Sequence, residues 1–150
     1  MAGRFRQVML AAALACATGA CDEKLSDVAG PTPDLEPTLS SIQREIFNTT
    51  DSSGRVACIQ CHSDSGRTPA ANLVLLEGRS HASLVGRASG MKAGAVLVIP
   101  GSPDESYIIH KLEGRSDIVG QRMPRTTGPF LTDGQISIIR RWIELGAQND

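Results

Sequence analysis

Three stretches of this chain carry apolar residues at helical spacing. In the first, Leu39, Ile42, Ile46 and Phe47 make one stripe, with Ser40 and Gln43 at the spacing of a capping box. The second, "SPDESYIIHKLEG", reads Ser102 as cap, Pro103 at the first helical position, Glu105 three residues after the cap and Gly114 as the stop. The third, "TDGQISIIRRWIELGA", opens with Thr132 and Gln135 in capping-box register, runs through Ile136, Ile139, Trp142 and Ile143, and ends at Gly146. "HASLVGRA" adds a short helical turn. "NLVLL" and "AVLVIP" read as brief strands or extended chain, and "GQRMPRTTGPFL" as a Gly- and Pro-rich loop. The pattern predicts an all-α domain with long Gly/Pro-rich loops and no internal repeat.

The amino-terminal end has a different composition. Arg4 and Arg6 precede an uncharged run from Val8 to Ala20, too short to span a bilayer and ending in small residues, which is the layout of a secretory leader. Residues 1–20 are therefore expected to be a signal peptide and the mature protein to leave the cytoplasm. Cys21, preceded by Thr18, Gly19 and Ala20, is the expected lipidation site; "ALAC" ending at Cys16 and ordinary cleavage to a soluble periplasmic protein are the alternatives. Residues 21–39 then read as an acidic, Pro-rich tether without apolar periodicity, and residues 40–150 as one domain. Across residues 41–150 twelve Lys and Arg face eleven Asp and Glu, so no basic field for nucleic acid is present.

The chemistry concentrates in "CIQCH", residues 58–62. With Cys16 removed and Cys21 lipidated, Cys58 and Cys61 are the cysteines left, and they have to act together. Zinc needs four ligands, and the second knuckle that normally supplies the other pair is missing. A dithiol redox pair needs a thioredoxin-like βαβ frame, whereas the pattern here is helical around loops. Covalent haem fits better: two cysteines three apart match the two haem vinyl groups, and the imidazole of His62 lies next in line as proximal ligand. Such attachment is made outside the cytoplasm, so leader and motif support each other.

A leading helix, CxxCH near the start, an "MP" loop and an amphipathic closing helix together resemble the single-haem class I cytochromes c, over residues 40–150. The half from "VIPGSPDESYIIHKLEG" through "RMP" to "LTDGQISIIRRWIELGA" is similar to the short c-type domains common in myxobacterial and planctomycete secreted proteins. The resemblance implies a haem-wrapping fold and an electron-transfer role. It implies one covalent haem c held at Cys58 and Cys61, with axial ligands His62 and Met123. The chain departs from the family in the long connection between Phe47 and Cys58 and in the long Gly-rich segment from Ser63 to Ile99.

Several side chains carry two readings. Phe47, Tyr107, Phe130 and Trp142 are the aromatic residues beyond the leader, a thin set for closing a core without a buried porphyrin. Phe47 and Trp142 are expected to pack between first and last helices, and Tyr107 to be core. Arg122 and Arg125 read as solvated loop charges, or as partners of haem propionates. Met123 competes with Met91, His81 and His110 for the distal position. Pro124 favours Met123 by biasing its backbone toward an extended conformation, while His110 reads as a solvated helical histidine. With both faces of the iron bound, one-electron transfer to redox partner proteins is expected, on a membrane-anchored lipoprotein of the periplasm or cell envelope. No set of nucleophile, base and orienting residue argues for an enzyme. The alternatives are a small haem peroxidase or gas-binding sensor with an open sixth position, and an interaction module that haem props up.

Overall fold

The computed structural model describes residues 34–125 and 128–150. The expected leader, Cys16, Cys21 and most of the expected tether lie outside the described residues. Within them the regular structure is helical without a strand, and the chain is all-α in class.

Helix α1, Leu39–Ile42, runs directly into a π-helical turn, Gln43–Phe47. Its cap is Thr38, not Ser40: Thr38 Oγ1 accepts from Ser41 N at 3.3 Å. Starting the helix there makes Leu39 helical and buries it with Ile42 and Ile46. Gln43 is drawn away from any capping role, because its buried amide donates to Leu75 O at 2.8 Å and to Asn48 Oδ1 at 2.7 Å. The π turn frees carbonyls that side chains then satisfy. Thr49 Oγ1 donates to Arg44 O at 2.6 Å, and Arg55 Nη1 to Ile46 O at 3.2 Å. The connection from Phe47 to Cys58 is thus folded around one buried guanidinium, which also meets Asp51 Oδ2 at 2.9 Å and Thr49 O at 3.3 Å.

Helix α2 is Ser80–Leu84, as the sequence suggests. The expected helix from Ser102 to Gly114 is instead broken. Pro103–Glu105 form a 3₁₀ turn, Ser106 is extended (φ −79, ψ 115), and α3 is Tyr107–Glu113. Ser106 is the cause: fully buried, its hydroxyl donates to Ser102 O at 2.8 Å and accepts from Ile99 N at 2.9 Å, an alternative to helical bonding that short polar side chains offer. Gly114 stops α3 in the left-handed region (φ 73), as expected. Helix α4, Asp133–Glu144, carries the predicted capping box in full. Thr132 Oγ1 accepts from Gln135 N at 3.2 Å, and Gln135 Oε1 accepts from Thr132 N at 3.1 Å.

"AVLVIP" is extended and meets the chain after α2 only through isolated bridges, Val85 with Val98 and Ala88 with Val96. One core joins the stripe of α1 and the π turn to Leu84, Val98, Ile109, Ile139 and Trp142. Leu35 is buried with it, so the packed chain reaches back to that residue. α3 packs on α4, and the 3₁₀ turn at Pro103–Glu105 packs on both. Their outer faces are tied by Arg140, which bridges Asp104 at 2.6 Å and Glu113 at 3.2 Å.

Candidate functional site

Cys58–Gln60 form a single 3₁₀ turn, entered from extended Ala57. Cys58 O accepts from Cys61 N at 3.2 Å and from His62 N at 2.9 Å. Residues three apart on such a turn eclipse, which sets both thiols on one side with His62 immediately beyond. The following chain pins the turn, because Ala70 N donates to Cys61 O at 2.9 Å and Leu75 N to His62 O at 2.8 Å.

The imidazole of His62 is oriented. Its Nδ1 lies 3.1 Å from Ala70 O, and a carbonyl can only accept, so Nδ1 is the donor in that contact. Burial pushes the His62 pKa down, against the opposing effect of its backbone bonds to Ala70 and Leu73. Burial likewise pushes the Cys58 thiol up to about 11, with Arg55 pulling in the opposite direction. Reactive dithiols of redox enzymes have depressed values, and Cys58 has the opposite character. Both thiols are free.

Cys58, Cys61 and His62, together with the sequence-distant Met123, line one cavity of about 730 Å³. Ile46, Phe47, Leu73, Leu97, Leu112 and Leu131 give it largely apolar walls. Its volume lies in the range of cofactor pockets, roughly 300–1,000 Å³. On one side the segments 70–72 and 89–91 approach closely: a Cβ on Gly90 would stand 2.8 Å from Ala71 O, so only glycine fits there. Met123 is half-buried against the core, and its N–H donates to Lys111 O at 2.8 Å.

The competing ligands are disposed differently. His81 Nε2 donates to Ala147 O at 2.9 Å, which commits that ring to the carboxyl-terminal segment. His110 is not a solvated helical histidine: its side chain is 16% exposed, with Nδ1 at 2.8 Å from Asp117 Oδ2 and Nε2 at 2.7 Å from Asp104 O. The turn after α3 folds back over it and brings Asp117 to the ring. Met91 does line the cavity, but at its exposed edge, with half its surface in solvent.

Arg122 is not a free loop charge either. Its Nε donates to Leu112 O at 2.7 Å, closing the end of α3, and its guanidinium stacks 4.3 Å from the Phe130 ring centroid. Arg125 lines the cavity. Phe47 is both core and cavity wall, whereas Trp142 is core and donates through Nε1 to Gln148 O at 2.9 Å. Tyr107 is buried, lines the cavity, and accepts from Val119 N at 2.8 Å.

Two residues of the site escape sequence reading. Arg55 lies in what reads as a plain connection, and nothing in its local pattern marks it as buried. Lys111 carried a usable signal: it falls one turn after Tyr107, on the face that the apolar stripe buries.

Among the described residues, no three His, Cys, Asp or Glu side chains converge as a metal cage would require. A scan against protein-family models and searches of curated proteins and of solved structures return no match for this chain. The cavity's volume and apolar walls, with Cys58, Cys61, His62 and Met123 on its lining, leave room and donor atoms for a flat apolar cofactor.

Proposed function

We propose that this chain is a single-haem c-type electron carrier, with haem attached through Cys58 and Cys61 and ligated by His62 and Met123. The observation that carries the reading is that these four side chains line one largely apolar cavity, with the His62 ring oriented by its Nδ1 bond to Ala70 O. Cys58 and Cys61 would hold the haem through thioether links to its two vinyl groups, an addition that would consume no oxidant or reductant. The bound group supplies a one-electron ferric/ferrous couple. The chain's part is to fix His62 and Met123, so that no position stays open for oxygen or peroxide, and to keep water out with Phe47, Leu73 and Leu97. A histidine–methionine pair raises the potential of such a centre, which suits a carrier rather than an oxygen-activating enzyme. The haem-wrapping form of the fold, export by the leader and a lipid anchor at Cys21 belong to the same proposal. They put the carrier at the membrane surface of the periplasm or cell envelope, where it exchanges electrons with redox proteins.

The test is spectroscopic. The ferric protein should show the weak near-infrared sulfur-to-iron band, and its reduced form should not bind carbon monoxide. Met123→Ala should abolish the band and admit the gas. A band absent from the unmodified protein, or surviving in the variant, means that another residue binds the iron.

A further inference from the structure

Lys111 stands in an unusual position. It is a lysine only 9% exposed, on the buried face of α3, and it lines the same cavity as His62 and Met123. Lysine is almost never so fully buried unless its ammonium is paired. Among the described residues no carboxylate forms an ion pair with it. Its ammonium instead donates to two backbone carbonyls of one loop, Val119 O at 3.0 Å and Gln121 O at 2.5 Å. Its own carbonyl accepts the N–H of Met123 at 2.8 Å. One residue therefore grips alternate positions 119, 121 and 123 of the loop that presents the thioether. Tyr107, one turn earlier on α3, adds a neutral tie to Val119.

We propose that Lys111 is the positioning residue for the distal ligand: its ammonium clamps the loop 119–123 against α3 and so holds Met123 on the iron. The proposal rests on the histidine–methionine reading given above. A role limited to filling the core would use the aliphatic stem and leave the ammonium at solvent. Here the charged head is used on the backbone carbonyls of Val119 and Gln121, at the rim of an apolar cavity. Losing it removes two hydrogen bonds from a charged donor that tie the loop to α3, enough to shift a bound–unbound equilibrium of the thioether by about tenfold or more.

The experiment uses the holo-protein with Lys111→Met, which keeps the stem and removes the donors, and Lys111→Gln, which keeps an amide donor without the charge. Near-infrared absorption of the ferric form and carbon monoxide affinity of the reduced form are read beside haem content and far-ultraviolet dichroism. Lys111→Met should keep its haem and helicity, lose most of the sulfur-to-iron band, and bind carbon monoxide, which the unmodified protein excludes. Lys111→Gln should fall between the two. If Lys111→Met shows only a lower thermal midpoint, with band and gas affinity unchanged, the residue is merely structural and the proposal is overturned. Should Lys111→Met not fold, Lys111→Gln decides it: band and affinity equal to the unmodified protein overturn the proposal. An unmodified protein without the band refutes the Met123 reading itself, and an intact band surviving in both variants refutes the clamp alone.

Discussion

Replacing Asp51 by asparagine takes one charge out of the ion pair around which the chain between Phe47 and Cys58 is folded. Arg55 Nε and Asp51 Oδ2 are 2.9 Å apart, with side chains 0% and 7% exposed, so this is a pair inside the protein. Removing one partner of a buried pair costs about 3–5 kcal/mol, because the other charge is left uncompensated. Arg55 keeps the carbonyls of Ile46, Val56 and Thr49 as acceptors, and asparagine still offers an oxygen to the amides of Ser53 and Arg55. The expected loss is therefore at the low end, about 3 kcal/mol at neutral pH. The acid dependence has a definite sign. Burial alone would raise the Asp51 pKa, but the bonds from Ser53 and from the Arg55 amide, together with the Arg55 guanidinium, outweigh it and hold the carboxyl below its usual range. A depressed folded value means stability that is present above the unfolded value of about 3.9 and is lost as pH falls through the folded one. The gap between unmodified protein and Asp51→Asn should be full at neutral pH and shrink below about pH 4. Guanidinium unfolding midpoints at both pH values, at unchanged slope, measure it. A neutral-pH gap under about 1 kcal/mol, or one that does not shrink in acid, refutes the reasoning.

Gly114→Ala should destabilise by about 1 kcal/mol or more, since the position has φ 73 and the new Cβ would stand 2.8 Å from Arg122 Cδ; an unchanged thermal midpoint contradicts this. Cys21→Ser should move the protein from the membrane fraction to the soluble one, because a lipidated cysteine is the expected hydrophobic anchor once the leader is removed. Retention in the membrane, or a mature amino terminus at another residue, counts against lipidation there.

The parts of the fold legible in the sequence are those decided locally. The capping box of α4 and the glycine stop of α3 each depend on a few neighbouring residues, and both stand where the pattern puts them. The misplaced elements were decided by long-range partners. Gln43 was taken from its expected capping role by Leu75 O, and Ser106 broke a helix because its hydroxyl is shared between Ser102 O and Ile99 N. The same division runs through the site. The CxxCH spacing and the Met–Pro pair are local signals, and the cavity brings their side chains together. His110 read as solvated because the returning turn that carries Asp117 leaves no trace in helical periodicity. The register of Lys111 signals its burial but not its anchoring role, and beyond the Asp51 pair Arg55 anchors the same way, because the acceptors are backbone carbonyls, which every residue possesses.

The most direct test of the account is haem retention by the denatured protein, produced with a c-type maturation system. One haem per chain should stay with the polypeptide through acid–acetone extraction and colour its band on a denaturing gel, and the Cys58→Ala, Cys61→Ala double variant should lose that colour. Haem that extracts from the unmodified protein, or colour that persists in the double variant, contradicts attachment at Cys58 and Cys61 and with it the proposed function.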